Sequence, residues 1–291
     1  MASSKTQGSR CLGSSSPVSG PVRPGVKVKH GKLGRLTGWL QVATLACVAG
    51  VPMLASAELS NETLLGIGLR SRPAYDGSAS QHAELVPVLR YFGKTWFARS
   101  TQGLLEGGLR VQLLPGLYAG TQVAYESGRQ RSESDFLERY NIASTERGAS
   151  VGVHMEWDHQ IGPMPISLLA RVRKQPGPGV QADLRLSAGL FQSGRLSLGA
   201  YAQTSWADSK AANALYGIAP QQSASMGLPA FEPGSGLTYA GLGLLGSFEL
   251  SPKWVVVGSL EARRTTGSVS NSPLVERDAN HYLSLGLAYR Y

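Results

Sequence analysis

The histidines are the first residues to test for chemistry, because a hydrolase with a serine nucleophile needs a histidine base beside it. Four histidines follow residue 57, namely His82, His154, His159 and His281. His154 falls on the polar face of an alternating segment, and the other three fall in connections or at segment ends. None has a serine or asparagine neighbour in a lipase-like motif, and Asp76 and Asp135 have no histidine beside them. We therefore expect no catalytic site.

The sequence also contains no motif for binding a metal ion or a cofactor. No metal-ligand spacing, phosphate-binding loop or dinucleotide-binding glycine motif occurs. Gly66 and Gly68 are separated by one residue, but they lie inside an alternating segment and not at the opening of a helix. The sequence thus predicts neither a metal site nor a cofactor.

Charged side chains recur at alternate positions of segments that are otherwise apolar. Val151 and Val153 alternate with Ser150 and His154, for example, and period two places the two sets on opposite faces of a strand. If the apolar faces meet lipid, the interior positions include Arg70, Glu106, Arg110, Glu156, Arg171, Asp183, Arg185, Glu261 and Arg263. Charges of both signs predict an ion-paired interior, and ordinary polar filling is favoured over a dedicated conduction path.

Twelve such segments follow residue 57, each near the length that a tilted membrane strand needs. They cover residues 63–71, 83–92, 94–101, 104–113, 117–126, 148–159, 164–173, 180–191, 196–206, 237–250, 254–263 and 282–291. None keeps a 3.6-residue period, and residues 94–101 are short enough to merge with a neighbour. The prediction is an all-β fold, a transmembrane up-and-down antiparallel β-barrel of 10–12 strands.

The connections between these segments alternate in length. Every second one is tight, and the longest connections, residues 127–147, 207–236 and 264–281, all fall on the other side. Outer-membrane barrels have short periplasmic turns and long external loops, whereas a soluble β-sandwich has no reason to sort its loops in this way. The pattern favours a barrel in the outer membrane with both ends of the chain on the periplasmic side.

The last segment has the character of a closing strand. Leu283, Leu285, Leu287, Tyr289 and Tyr291 share one face, with Ser284 and Gly286 on the other. This pattern resembles the terminal strand by which outer-membrane barrels are recognised for insertion, so we assign Ser284, Gly286, Tyr289 and Tyr291 to barrel insertion and closure. Aromatic residues near segment ends are expected to lie at the membrane interfaces: Trp96, Trp157, Trp206, Trp254, Tyr289 and Tyr291.

The first 57 residues are predicted to be a signal peptide with an extended N-region. Residues 36–54 are mostly apolar, a basic stretch precedes them, and Ala55-Ser56-Ala57 is a cleavage site, which leaves residues 58–291 as the barrel. A membrane anchor and a lipoprotein at Cys47 are less favoured. Residues 1–57 hold seven of the 28 basic residues and none of the 19 acidic ones, so the basic charge belongs to the leader and does not indicate nucleic-acid binding. Both cysteines, Cys11 and Cys47, also lie there.

Short motifs near both ends of residues 58–291 carry a family resemblance. Arg72-Pro73-Ala74-Tyr75-Asp76-Gly77-Ser78 follows the first segment, and Ser272-Pro273-Leu274-Val275 precedes the last. In this order they resemble the family of MltA-interacting protein and OmpV, with Pro73, Tyr75, Gly77, Ser78, Ser272 and Pro273 as its motif residues. The resemblance implies an outer-membrane barrel, and some members are proposed to tether a murein hydrolase to a murein synthase.

Three functional hypotheses follow. The favoured one is a scaffold that links cell-wall enzymes to the outer membrane, with membrane lipid, the barrel-insertion machinery and a periplasmic murein hydrolase or synthase as its partners. The alternative is a narrow channel or a small-molecule uptake receptor that uses the long external loops. An outer-membrane hydrolase is the least favoured.

Overall fold

A computed structural model describes residues 62–101 and 104–291, which form a closed antiparallel β-barrel. The predicted signal peptide lies outside the described residues. Twelve strands make up the wall: β1 (Leu64–Pro73), β2 (Gln81–Phe92), β3 (Trp96–Thr101), β4 (Leu104–Leu114), β5 (Leu117–Glu126), β6 (Gly148–Ile161), β7 (Met164–Lys174), β8 (Val180–Ser193), β9 (Leu196–Ala207), β10 (Gly236–Ser251), β11 (Trp254–Thr265) and β12 (Ala279–Arg290). The predicted barrel and the upper strand number are confirmed.

Each strand pairs with its neighbours in the sequence, and β12 closes the ring against β1. In the closing pair Gly68 lies opposite Gly286, and Arg70 lies opposite Ser284. The short strand β3 does not merge with its neighbours, although it pairs with β2 at only three positions, Arg90, Tyr91 and Phe92. The up-and-down order follows from the tight turns, because a short connection leaves two strands no arrangement but an antiparallel pair.

The barrel is apolar outside and polar inside, the reverse of a soluble domain. Leu69 and Leu285, for example, expose 61% of their surface on the outside, whereas Glu106 and Glu261 are buried inside. Exposed leucines over a whole barrel wall are stable only against lipid, and the closed ring pairs most backbone groups of the wall between neighbouring strands. Aromatic rings cluster near the ends of strands, where Tyr289 contacts both Trp254 and Tyr291.

The long connections contain short helices that the period-two pattern did not predict. They are α1 (Asp135–Arg139), α2 (Ser209–Tyr216) and α3 (Pro220–Met226), with two short 3-10 helices at Arg131–Glu133 and Gly267–Asn271. The Asp208 side chain caps α2 by accepting a hydrogen bond from Ala211 N at 2.8 Å, a signal of helix initiation that sequence analysis could have used. No helix among the described residues is long and apolar enough to cross a bilayer.

Candidate functional site

The two motifs of the sequence meet at the long-loop end of the barrel, although they are about 200 residues apart. Tyr75 donates a hydrogen bond from its hydroxyl to Leu274 O at 2.8 Å. Gly77 O accepts hydrogen bonds from Glu276 N at 2.8 Å and Arg277 N at 3.0 Å. Burial raises the pKa of Tyr75, and the Glu276 carboxylate raises it further, so this hydroxyl stays protonated and can donate.

Gly77 and Ser78 have structural reasons for their residue types. Gly77 adopts φ +100°, and an added Cβ would lie 3.0 Å from Val275 Cγ2. Its N–H donates to Asn280 Oδ1 at 2.6 Å, and Asn280 Nδ2 donates to Ser78 O at 2.8 Å. Ser78 is fully buried, as is Pro73 at the end of β1. The β1–β2 connection is therefore bound to β12 through one asparagine side chain.

The Ser272-Pro273 motif joins a third connection to these two. Ser272 Oγ donates to Tyr216 O at 2.6 Å and accepts from Leu274 N at 3.2 Å. Pro273 is half-buried between them, and Leu274 packs with Leu137 of the β5–β6 connection. Four connections thus share a small apolar core, which we call the external cap. Its buried members are Ala207, Ala211, Ala212, Tyr216 and Val269 in one cluster, and Leu137, Ile142, Ile218 and Leu274 in another.

The Asn280 contact gives a direct test of the external cap. We expect Asn280→Ala to leave Gly77 N–H and Ser78 C=O buried without partners, at a cost of roughly 1–3 kcal/mol for each group. The external loops should then be cleaved faster by protease added to intact cells. Gln81→Ala is the control, because the Gln81 side chain is exposed and its hydrogen bond to His281 O is long, at 3.5 Å. Equal cleavage of the two variants would contradict this role.

Below the external cap, one chain of ion pairs links strands β3 to β8 across the lumen. Arg99 Nε lies 2.6 Å from Glu106 Oε1, and Glu106 Oε2 lies 2.9 Å from Arg171 Nη1. Arg173 Nη2 lies 2.6 Å from Asp183 Oδ2. The full set, which we call the ion-pair chain, is Glu156, Arg99, Glu106, Arg171, Asp183, Arg173 and Glu126, in that order of contact. All of them are at least largely removed from water.

A second network covers the other half of the lumen. Arg263 bonds Glu261 at 3.0 Å and Asp76 of the β1–β2 connection at 3.0 Å. Tyr282 donates its hydroxyl to Asp76, and Gln203 Nε2 donates to Glu261 Oε1 at 2.5 Å. The ion-paired interior expected from the sequence is confirmed in these contacts. Of the interior residues proposed, Arg70 contacts Glu84 at 3.5 Å, Arg185 lies over the Tyr201 ring at 4.0 Å, and Arg110 lies over the rings of Phe92 and Tyr118.

A cavity of about 690 Å³ lies between the external cap and these networks. Arginines from the wall and the connections line it, namely Arg70, Arg72, Arg129, Arg171, Arg173 and Arg263. The acidic lining residues are Asp76, Glu84, Glu126, Glu146 and Asp183. Sequence analysis did not predict the inward positions of Arg72, Arg99 and Arg129. Arg72 keeps period two with Arg70, which was placed inside, and Arg99 keeps it with the buried Phe97, whereas Arg129 lies in a connection and had no such signal.

The residues considered for hydrolysis have other contacts. His154 meets the Phe97 ring edge-on at 4.9 Å, and His159 stacks on Trp157 at 5.1 Å. His82 bonds the backbone oxygen of Glu133 through Nε2, and Asp135 begins α1. Within residues 62–101 and 104–291, no cluster of three or more His, Cys, Asp or Glu side chains could hold a metal ion.

The closing strand β12 lies between β11 and β1. Ser284 Oγ shares a hydrogen bond with Ser259 Oγ at 2.7 Å, and an added Cβ at Gly286 would lie 2.5 Å from Val88 Cγ2. Tyr289 pairs with Leu65 of β1, and Tyr291 N donates to Thr63 O at 3.0 Å. These residues therefore form the seam at which the barrel closes, and their role in insertion stays a prediction.

Comparison with known proteins gives similarities of fold and one family. No curated protein sequence matches the chain. The NanC porin structure is 8% identical, with 79% of this chain and 100% of that chain covered, at a TM-score of 0.46. An outer-membrane channel from Pseudomonas putida F1 is 8% identical, with 84% and 100% covered, at 0.41. OmpT of Vibrio cholerae is 9% identical, with 79% and 96% covered, at 0.37.

The family model described as MltA-interacting protein MipA matches residues 65–291, which run from the first strand of the barrel to the last. The match includes both motifs that meet in the external cap. The chain therefore belongs to the MltA-interacting protein family, and it is an outer-membrane β-barrel.

Proposed function

We propose that this barrel is a closed, non-enzymatic membrane anchor that holds a murein hydrolase at the periplasmic side of the outer membrane. The observation that carries the proposal is that ion pairs bridge the lumen below the external cap. Glu106, at the centre of the ion-pair chain, exposes only 2% of its surface, and the external cap covers the barrel above it. A barrel without an open path across the membrane acts by binding partners at its surfaces. The family name, MltA-interacting protein, gives the class of partner.

The tight turns at the periplasmic end carry charges of one sign, although Asp158 and Glu249 are at least partly exposed on the adjoining strand ends. The turns carry three exposed basic residues, Lys94, Arg195 and Lys253. Opposite charges on two proteins speed their encounter and fix their orientation. We therefore infer that the partner presents an acidic surface to these turns.

Charge reversal tests this surface. We expect the triple variant Lys94→Glu, Arg195→Glu and Lys253→Glu to lose crosslinking to a murein hydrolase in the periplasm, because like charges would then face each other. The matched control reverses Arg139, Lys210 and Arg277, which are also exposed but belong to the external connections. The proposal fails if no murein hydrolase is recovered by the unaltered protein, or if both triple variants lose it alike.

The alternative of a narrow channel or uptake receptor retains one observation in its favour, the cavity under the external cap. Conductance recording in planar bilayers distinguishes a channel from a closed anchor. We expect no steady conductance from the purified protein, because the ion-pair chain and the second network bridge the lumen. A steady conductance that is the same in every insertion event would overturn the closed anchor.

A further inference from the structure

Among the described residues, the strand pairing of the barrel wall is incomplete beside β2. This strand pairs with β1 over residues 81–90, but with β3 only at Arg90, Tyr91 and Phe92. The difference arises because β2 has twelve residues and β3 has six. Within the described part of the chain, β2 therefore has no strand partner on its β3 side from Gln81 to Val88.

The local sequence fits an open edge. Where the ladder ends, Leu89 N donates to the side-chain oxygen Ser100 Oγ at 2.9 Å. Backbone groups two residues apart face the same edge of a strand, so residue 87 is the next position that faces the gap. That residue is Pro87, which has no N–H to leave unpaired, and proline is tolerated on strand edges for this reason.

The gap lies within the apolar belt of the barrel. Leu85, on the open edge, is 70% exposed and pairs with Leu69, which in turn pairs with Leu285. All three point outward and leave most of their surface exposed. The gap consequently opens toward the hydrocarbon of the membrane.

The cavity under the external cap reaches this gap. Its lining includes Leu85, Leu105 and Tyr125, whose side chains are exposed on the outer face of the barrel. It also includes Arg173 and Asp183, which are buried in the lumen. One space therefore has apolar walls at the outer surface and charged walls inside.

Arg129 supplies a positive charge to the same cavity. It is 6% exposed, and its Nη atoms donate to the backbone oxygens of Leu215 and Ala143. Its Nε atom is buried without a hydrogen-bond partner, and no carboxylate among the described residues neutralises it. A buried cation without a counter-charge is costly, and an anionic group bound in the cavity would remove that cost.

From these features we propose that the gap between residues 81–88 of β2 and the described ends of β3 and β4, at Thr101 and Leu104, is a lateral portal for a single-chain anionic amphiphile from the bilayer. The acyl chain lies along Leu85, Leu104 and Leu105, and the anionic head group binds Arg129. The cavity volume of about 690 Å³ falls in the range of roughly 300–1,000 Å³ that encloses small ligands. This function goes beyond the anchoring role and does not depend on it.

Photocrosslinking tests the binding site. Protein purified in detergent is incubated with palmitate that carries a diazirine on its chain, and the modified peptides are mapped by mass spectrometry. We expect crosslinks in residues 81–90 and 104–113, on the two sides of the portal. Crosslinks spread evenly around the apolar belt, including β12, would overturn the proposal.

Variants of Arg129 test the head-group site. Arg129→Met should weaken palmitate binding by about tenfold or more, since a hydrogen bond to a charged group is lost. Arg131→Met is the matched control, because Arg131 lies in the same connection and also bonds a backbone oxygen, Ile142 O at 2.9 Å, but does not line the cavity. Arg129→Lys keeps the charge and should bind more tightly than Arg129→Met. Equal affinity of Arg129→Met and the unaltered protein would contradict the site, provided that the heat-modified gel shift shows a folded barrel.

Blocking the portal tests the route. Leu85→Cys and Leu69→Cys are made in a chain whose Cys11 and Cys47 are replaced by serine, and each is labelled with a bulky maleimide. Both positions face lipid and lie opposite each other in the β1–β2 pair, but only Leu85 lines the cavity. The label at Leu85 should slow palmitate association several-fold, and the label at Leu69 should not. Equal rates would show that the amphiphile does not enter here.

The head group distinguishes the sources of the ligand. Palmitate represents a free fatty acid, and lysophosphatidate represents a phospholipid product, while hexadecanol has the chain without the charge. Tighter binding of either anion supports the proposal and identifies the source. Hexadecanol binding as tightly as both anions would overturn the assignment of the head group to Arg129.

Discussion

Glu106→Gln is expected to destabilise the barrel by about 3–5 kcal/mol, the range measured when one partner of a buried ion pair is removed. Glu106 accepts from Arg99 at 2.6 Å and from Arg171 at 2.9 Å, and it is almost fully buried. Glutamine has nearly the same shape, so the variant creates no cavity. The loss of stability therefore measures the charge that holds two guanidinium groups together.

Equilibrium unfolding with guanidinium chloride in detergent micelles would measure this loss in the free energy of unfolding. The matched control is Glu249→Gln, because Glu249 also accepts from an arginine, Arg290 at 2.9 Å, but is 42% exposed at the end of its strand. Exposed ion pairs contribute roughly 0–1 kcal/mol, so the control should unfold nearly as the unaltered protein does. If both variants lost the same free energy, the ion-pair chain would not be the main polar support of the lumen.

Gly66→Ala is expected to prevent the barrel from closing. Gly66 lies in β1 opposite Ala288 of β12, and an added Cβ would lie 2.0 Å from Leu287 O and 2.6 Å from Ala288 Cα. Both atoms belong to the backbone of the closing strand, so relief requires the seam itself to move. Overpacking costs about 1–3 kcal/mol where side chains can adjust, and we expect a loss at or above that range here.

The gel shift of folded against heated protein measures closure. Gly246→Ala is the control, because Gly246 also lies within a strand, β10, and an added Cβ would meet only Leu198 Cδ2 at 3.5 Å. The Gly246→Ala variant should fold normally, because alanine loses less backbone entropy on folding than glycine does. A normal folded band from Gly66→Ala would show that the β1–β12 seam can widen.

The strands and their faces could be read from the sequence because both are local properties. Period two in residues such as Leu283, Leu285 and Leu287 assigns the outward face without knowledge of any neighbour. The alternation of tight and long connections then gives the up-and-down order. The bounds of the twelve strands agree with the alternating segments closely for the same reason.

The pairing of interior residues could not be read in this way. Glu106 and Arg171 were both placed inside, but they are 65 positions apart and three strands away from each other along the wall. Which residues meet across a lumen depends on the stagger between neighbouring strands, and that stagger accumulates around the whole ring. The inward position of Arg129 could not be predicted from period two, because this residue lies in a connection whose path is decided by packing in the external cap.

The amino-acid sequence by itself thus determined that this chain forms a membrane barrel, which face of each strand meets lipid and where the family motifs lie. Only the tertiary structure decided that Tyr75 and Leu274 meet across 199 positions, that the lumen is bridged, and that residues 81–88 of β2 lack a described strand partner on the β3 side. The physical reason is that strand formation depends on neighbours within a few residues. Contacts between loops and across the lumen depend instead on the register of every strand between them.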